Sequence, residues 1–219
     1  MAYILCIETS TTNCSVALSK DGHLVASIED YNTQYSHAER LHDFINKVIT
    51  EADITANNLD AVAISKGPGS YTGLRIGVSS AKGLCYGLDI PLIAIHTLHA
   101  LALQVTSNDS IIVPMIDARR MEVYSAVFSK DHKELRSTEA EVLSPSSYEV
   151  YLQTKKVCFI GNGVAKFSEI CNHKNAEFIP DKLPSAKEMI TVSYAKFLKQ
   201  EFENVSYFEP YYLKDFVAG

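Results

Sequence analysis

The sequence has no long apolar run, no paired-cysteine motif and no basic cluster, and each absence excludes a class of protein. Its 219 residues are 47% hydrophobic, but no stretch approaches the ~20 consecutive apolar residues of a membrane-spanning helix. The five cysteines form no C-x-x-C pair and are typical of buried thiols in a reducing compartment. The net charge is −6 without any run of lysine or arginine. We therefore expect that this chain does not bind nucleic acid by itself.

The N-terminus lacks the marks of a targeting segment. Residues 1–6 pass directly into a strand pattern, with no basic stretch and no small-residue cleavage site. We therefore expect a cytoplasmic protein that does not associate with membranes.

Several catalytic motifs are absent as well. A Walker A loop needs lysine and then serine or threonine after its last glycine, whereas Gly73 is followed by Leu74 and Arg75. The same loop has one residue too many for the G-x-G-x-x-G dinucleotide pattern. No G-x-S-x-G elbow and no H-E-x-x-H helix occurs, so a peptidase finds no support.

A glycine loop that leads into a helix-like segment is the most informative feature present. The apolar run 61–65 is followed by Gly67, Pro68 and Gly69, and then by a segment rich in small residues. Backbone N–H groups and the positive dipole end at such a helix start can hold an anion. A tight strand-to-helix turn without a ligand explains the pattern equally well.

The two halves of the chain echo one another. Residues 15–21 read like residues 125–131, and the glycine turn at 67–69 is matched by another at 161–163. Strands alternate with helices in each half, and the echoes keep a shared order and offset. This pattern predicts an α/β fold made of two related βββαβα units.

Periodicity places the elements within these units. We expect an N-terminal subdomain of residues 1–106 and a smaller C-terminal subdomain of residues 107–219, whose tail packs back onto the body. The polar segments 130–147 and 172–187 are interpreted as connections. Ser36 is the predicted cap of the first helix. The spacing of apolar residues predicts strands at 3–9, 13–19, 22–29, 60–65, 92–96, 111–117, 122–129 and 157–160, and helices at 36–52, 71–87, 97–106, 145–153, 163–172 and 185–200.

Five segments carry a resemblance to a known family, and the GPGSYTGLR run among them is highly specific in combination. They are IETS at 7–10, CSVAL at 14–18, GPGSYTGLRIG at 67–77, AKGL at 81–84 and DARRMEVY at 117–124. Together they resemble the TsaB (YeaZ) family, the non-catalytic paralogues of TsaD in the bacterial machinery that makes threonylcarbamoyladenosine in tRNA. The resemblance extends over nearly the whole chain.

The resemblance implies an actin/Hsp70/sugar-kinase-like (ASKHA) fold and an accessory subunit, not itself an enzyme, that binds and activates TsaD. TsaE is expected to join through the complex, tRNA to be contacted only indirectly, and the free chain to form a homodimer. No cofactor is expected, beyond weak binding of ATP and Mg²⁺ by this subunit. The alternative is an active ATP-dependent phosphotransferase, and a peptidase is less favoured still.

A vestigial nucleotide or anion site would combine the glycine loop with two acidic turns. Glu8 and Asp117 could hold a hydrated Mg²⁺ or could instead accept hydrogen bonds from turn amides. Arg119 stands where glycine would let a phosphate approach, although its charge could attract an anion. His96 and His99 are too close in sequence to match the two-histidine motif of TsaD, so no metal is expected. The candidate anion-site residues are Glu8, Thr9, Ser10, Gly67, Gly69, Ser70, Asp117 and Arg119.

In the family that the chain resembles, helices corresponding to 36–52 and 71–87 form the subunit interface. The second helix is rich in glycine, which lowers helix stability by about 1 kcal/mol per residue relative to alanine, and close packing on a partner would offset that loss. We predict that the pair packs on an equivalent pair about a two-fold axis. Burial of the apolar side of 36–52 against its own sheet is the alternative. The predicted partner-interface residues are His37, Leu41, Phe44, Ile45, Val48, Tyr71, Gly73, Leu74, Gly77, Ser80, Ala81 and Leu84.

Overall fold

Two five-stranded mixed sheets carry the fold. A computed structural model describes residues 1–31, 37–106 and 109–214. One unit comprises Met1–Ala100 with the C-terminal segment that starts at Pro184, and the other comprises Leu101–Leu183. Among the described helices, none is long and apolar enough to cross a membrane.

The strands and helices follow one another in a repeated order. The strands are β1 (Tyr3–Glu8), β2 (Cys14–Lys20), β3 (His23–Asp30), β4 (Ala61–Ser65), β5 (Leu92–Ile95), β6 (Ile111–Asp117), β7 (Glu122–Phe128), β8 (Glu134–Val142), β9 (Val157–Gly161) and β10 (Ala176–Pro180). The helices are α1 (His37–Glu51), α2 (Tyr71–Leu88), α3 (Thr97–Ala102), α4 (Glu149–Leu152), α5 (Val164–Ser168) and α6 (Ile190–Leu198).

The first sheet has the order β3-β2-β1-β4-β5. β1 pairs antiparallel with β2 and parallel with β4, so that Leu5 lies opposite Leu18 on one side and Val62 on the other. Every residue of β4 is buried, as is β1 after its first residue. Such continuous apolar runs are typical of central strands that are covered on both faces.

Helices supply that cover. α1 and α2 lie on one face, and their buried side chains share a core with Leu5, Ile7 and Val62. On the other face, Met189, which directly precedes α6, and Ile190, the first residue of α6, belong to a second core. This second core includes Ile4, Cys6, Ala61, Ala63, Ile93 and Ile95.

The second unit repeats the topology of the first. Its sheet has the order β10-β9-β6-β7-β8, with β6 antiparallel to β7 and parallel to β9. Aromatic rings fill its core, and the ring centroids of Phe159 and Phe167 are 4.9 Å apart. The repeated arrangement confirms the predicted α/β class and the duplication.

Two strands were missed by the sequence-based assignment. β8 lies within the segment 130–147 and β10 within 172–187, and interpreting both segments as connections was wrong. Each is an edge strand with a single neighbour, and most of its residues are exposed or only partly buried. Only a few of their residues pack on the core, such as Phe178 of β10, whose ring stacks on Phe159. Neither strand therefore shows the full apolar pattern by which strands are recognised.

The C-terminal helix belongs to a different unit from the one predicted. Residues 107–219 were expected to form the second subdomain, but the chain from Pro184 onward groups with the first unit. The reason is that the apolar side of α6 completes the core beneath β1, β4 and β5. The expected helix start at residue 36, with Ser36 as its cap, lies outside the described residues.

Met189→Ala tests the placement of α6. Met189 is fully buried, so the substitution should lower the free energy of unfolding by about 2–5 kcal/mol. Amide hydrogen exchange should increase in β1, β4 and β5. The control is Leu198→Ala, which removes a side chain that is 64% exposed and should change stability by less than about 0.5 kcal/mol. Faster exchange confined to β6 and β9 would contradict the assignment.

Candidate functional site

The glycine loop packs directly on the turn that follows β1. The N–H of Ser70 donates to the carbonyl of Ser10 at 2.6 Å, and Thr9 Oγ1 donates to the carbonyl of Gly73 at 2.8 Å. A Cβ atom on Gly69 would overlap the Ser10 carbonyl oxygen, and one on Gly73 would overlap that of Thr9. Contact with the chain's own turn therefore explains, without a ligand, why these two positions are glycine.

The C-terminal segment closes the loop from another side. Gly67 has a φ of +116°, a conformation that favours glycine, and its N–H donates to Thr97 Oγ1 at 3.1 Å. The N–H of Tyr211 donates to the carbonyl of Lys66 at 2.7 Å. A Cβ atom on Gly67 would lie only 2.6 Å from the Tyr211 carbonyl oxygen.

Glu8 is fully buried at the end of β1. Its Oε1 accepts a hydrogen bond from the N–H of Ser10 at 2.6 Å, and its Oε2 makes none within the described part of the chain. Burial raises the pKa of this carboxyl above its usual value. One oxygen of Glu8 is thus engaged by the chain's own turn, a role that acidic residues often have.

Asp117 holds the corresponding turn of the second unit. Its Oδ1 accepts from the N–H of Arg119 at 2.6 Å and from Lys166 Nζ at 2.7 Å. Lys166 Nζ also donates to the carbonyls of Arg120 at 2.6 Å and Glu122 at 3.0 Å. Arg119 and Arg120 have φ values of +70° and +48°, a conformation that costs a residue with a Cβ atom about 1–2 kcal/mol. The bonds from Lys166 brace this strained turn.

Both acidic residues thus hydrogen-bond an amide two residues later, which favours turn formation over metal binding. The candidate anion-site residues are divided between the units, with Asp117 and Arg119 in the second. Their grouping into one site stays a prediction. In the first unit, the glycine loop and Glu8 both contact the chain's own Thr9–Ser10 turn.

The apolar side of α1 faces its own sheet, which corrects part of the predicted partner interface. Leu41, Phe44, Ile45 and Val48 are at most 7% exposed and belong to the first core. His37 is also buried, with Nε2 2.7 Å from the carbonyl oxygen of Thr11. These side chains are held inside the unit, so they cannot reach a partner.

The buried residues of α2 are likewise explained within the unit. A Cβ atom on Gly77 would overlap Thr9 Oγ1, and Leu74 and Ala81 are at most 1% exposed. Gly73 and Gly77 are therefore glycine because α2 approaches the turn after β1 closely. Their prediction as partner contacts is corrected together with those of Leu74 and Ala81.

The outer side of α2 carries residues that the unit itself does not use. A Cβ atom on Gly83 or Gly87 would meet nothing within 4 Å, and Tyr86 is 85% exposed. Ser80 Oγ lies 3.2 Å from His42 Nε2, which links this side of α2 to α1. Three predicted interface residues remain partly exposed, namely Tyr71, Ser80 and Leu84.

Sequence reasoning missed an exposed cluster of arginine and tyrosine at the start of α2. The Arg75 guanidinium carbon lies 4.1 Å from the Tyr71 ring centroid, and Nε donates to the Tyr212 hydroxyl at 3.3 Å. The two tyrosine rings are 4.7 Å apart. The four-residue spacing of Tyr71 and Arg75 signals their contact, whereas Tyr212 comes from a distant part of the sequence.

The histidines considered as metal ligands have other surroundings. No group of three or more histidine, cysteine, aspartate or glutamate side chains in the described ranges could hold a metal ion. The His96 ring lies edge-on to Tyr211 with centroids 5.4 Å apart. Burial and nearby cations, chiefly Lys66 and Lys196, lower the pKa of His96 to about 4.

Comparison with known proteins identifies the family. Residues 31–219 match the family model described as TsaD: tRNA N6-adenosine threonylcarbamoyltransferase. The proteins called tRNA threonylcarbamoyladenosine biosynthesis protein TsaB are 32% identical in Haemophilus influenzae and 30% identical in Escherichia coli. Each alignment covers 98% of this chain, and 94% and 96% of those proteins respectively. The chain belongs to the TsaB (YeaZ) family.

Solved structures agree with this assignment. YeaZ from Pseudomonas aeruginosa superimposes with a TM-score of 0.84 at 26% identity, over 97% of this chain and all of that one. EutJ from Carboxydothermus hydrogenoformans shares the fold alone, with a TM-score of 0.53, 15% identity, and coverage of 87% of this chain and 90% of its own. These likenesses and the duplicated topology confirm the predicted actin-like ASKHA fold.

Gly77→Ala and Gly83→Ala should have opposite effects on stability, although both lie in α2. Helix propensity alone favours alanine at both positions by up to about 1 kcal/mol. At Gly77 the added methyl overlaps Thr9 Oγ1, so we expect a net loss of about 1–3 kcal/mol. At Gly83 the methyl meets open space, so we expect a gain. Urea unfolding at low protein concentration measures both, and a stable Gly77→Ala variant would show that Thr9 does not exclude a side chain.

The parent should lose stability as the pH rises because of Glu8, and Glu8→Gln should abolish this loss. Because the pKa of Glu8 is raised in the folded state, the unfolded chain ionises first as the pH rises above about 4.5, and stability falls through that window. Glutamine does not ionise, and its amide oxygen can still accept from the N–H of Ser10. The melting temperature of the variant relative to the parent should therefore increase from pH 4 to pH 8, as measured by thermal unfolding.

Comparing the variant with the parent separates the effect of Glu8 on the pH dependence of stability from the effect of the histidines. Burial lowers the pKa of His96 and His37, so they contribute stability that is lost as the pH falls below about 6.5. This opposite effect is common to both proteins and cancels in the difference. A difference that does not change with pH would refute the assignment to Glu8.

Proposed function

We propose that this chain is a non-catalytic subunit of the tRNA threonylcarbamoyladenosine machinery that binds, stabilises and activates the transferase TsaD. The relatives from Haemophilus influenzae and Escherichia coli are named for threonylcarbamoyladenosine biosynthesis, which supports a role in this process. The matching family model is described as TsaD, which supports kinship with that protein. In this proposal TsaE joins through the complex, and the free chain pairs with itself through the surface that later binds TsaD.

The observation that carries the proposal is the outer side of α2. Gly83 and Gly87 weaken this helix by about 1 kcal/mol each, yet no internal contact requires a glycine at either position. Tyr86 projects between them and is 85% exposed. Glycines let another helix approach closely, and a projecting tyrosine is a frequent anchor at protein interfaces. A partner helix therefore explains all three residues together.

The adjoining side of α1 supplies a polar border. His42 contacts Ser80, and Asp43 forms an ion pair with Lys47 at 2.7 Å on the exposed surface. An apolar and small-residue centre with a polar rim is the usual anatomy of a protein interface. The interface proposed here is thus displaced from the predicted one, and it consists of Ile76, Ser79, Ser80, Gly83, Leu84, Tyr86 and Gly87 of α2 with His42, Asp43 and Asn46 of α1.

The site geometry supports a role without catalysis. The glycine loop packs closely on the Thr9–Ser10 turn, and Asp117 is engaged by Lys166. These structural contacts disfavour the phosphotransferase alternative. For a peptidase, the pair Ser80 and His42 would need a carboxylate bonded to the histidine. In residues 1–31, 37–106 and 109–214, no such hydrogen bond to His42 occurs.

Gly83→Leu should weaken association while preserving the fold. Leucine favours the helix more than glycine does, and the position is open to solvent in the isolated chain, so the melting temperature of the monomer should not fall. Overpacking of a close helix contact costs about 1–3 kcal/mol, or roughly five- to 150-fold in affinity. Light scattering after size-exclusion chromatography measures the homodimer and the complex with TsaD of the same organism.

The matched control is Ala195→Leu, an exposed small residue of α6, which should leave both associations intact. The activity of reconstituted TsaD should fall with Gly83→Leu in proportion to the lost complex. Unchanged association in Gly83→Leu would refute this interface. ATP turnover by the isolated chain, abolished by Glu8→Gln, would instead establish the phosphotransferase.

A further inference from the structure

The loop between β6 and β7 presents two adjacent arginines at the surface. Arg119 and Arg120 are both exposed, and both adopt left-handed backbone conformations. Hairpins ordinarily place asparagine or glycine in such conformations. Neither guanidinium makes a hydrogen bond or ion pair with any residue of the described ranges. The loop thus holds strained residues whose side chains do nothing for the unit itself.

The surrounding contacts keep the two guanidinium groups available. Asp117 is the acidic residue at the start of the loop, but its Oδ1 already accepts from Lys166 Nζ and from the N–H of Arg119. Lys166 further fixes the backbone through the carbonyls of Arg120 and Glu122. The charge of Asp117 is therefore balanced by a lysine, and neither arginine forms an ion pair within the described residues.

The guanidinium group of arginine favours phosphate as a ligand. Its planar fork of N–H donors matches the oxygens of a phosphate, and it stays charged at every physiological pH. One strand of a nucleic acid helix carries a phosphate about every 3.4 Å along its axis, so neighbouring side chains can each meet one. The chain as a whole has a net charge of −6, and any contact with a polyanion must therefore be local.

We infer that Arg119 and Arg120 contact backbone phosphates of the tRNA substrate within the assembled complex. This inference rests on the proposed function, since it needs the complex with TsaD. It changes the expectation that tRNA reaches this chain only through a partner. The contact is with phosphates and carries no sequence preference.

The test is the tRNA affinity of the complete complex as a function of salt. Arg119→Gln with Arg120→Gln removes both charges but keeps both Cβ atoms, so the fold of the turn should be preserved. Binding of an unmodified tRNA transcript is measured between about 50 and 200 mM salt. The slope of log affinity against log salt should decrease by about 1.5, the value for two phosphates, and affinity should fall on the order of tenfold.

The control is Lys174→Gln with Lys182→Gln, which makes the same change of charge at exposed positions of the same unit. This variant should bind tRNA like the parent. An equal loss in both variants would show a general charge effect and overturn the inference, as would an unchanged slope in the arginine variant. Weaker binding of TsaD instead of tRNA would assign the arginines to a protein contact and overturn it as well.

The design separates the inference from the proposed function. Complex formation with TsaD is measured first, on the unaltered chain. If no complex forms, the proposed function fails. If the complex forms and the arginine variant binds tRNA normally, only the RNA contact fails.

Discussion

The close approach of α2 to the turn after β1 is the contact on which the first unit depends. Gly69, Gly73 and Gly77 each face Thr9 or Ser10 at a distance that leaves no room for a Cβ atom. This contact holds the glycine loop against the sheet and fixes the rotation of α2 about its axis. One side of the helix is thereby committed to the core, and the other side, with Gly83, Tyr86 and Gly87, is turned outward.

The same packing has two functional consequences. It accounts for the glycines of the loop by contact with the chain's own turn, and it buries Glu8 where its charged form is disfavoured. It also presents an unoccupied surface of small residues beside an exposed tyrosine. One packing contact therefore determines both the glycine loop and the residues that α2 exposes.

The two units show how one topology supports different turns. In both, an acidic residue ends the first strand and hydrogen-bonds an amide two residues later. In the first unit the acid is buried and the turn is covered by α2. In the second, Lys166 braces the turn instead, and Arg119 and Arg120 are left at the surface. The duplication gives both turns a similar backbone path. The element that contacts each turn, α2 in the first unit and Lys166 in the second, decides whether the turn is buried or exposed.

The sequence by itself determined the α/β class, the duplication and the family, because central strands and amphipathic helices must show apolar periodicity and because the glycine loop is specific. It also placed α1, α2 and the central strands within a few residues. It could not locate the edge strands β8 and β10, because only a few of their residues pack on the core and their apolar pattern is correspondingly weak. Only the tertiary structure decided which unit α6 completes and which glycines of α2 serve the fold. A glycine that faces a neighbouring backbone and one that faces solvent look identical in sequence, and only packing distinguishes them.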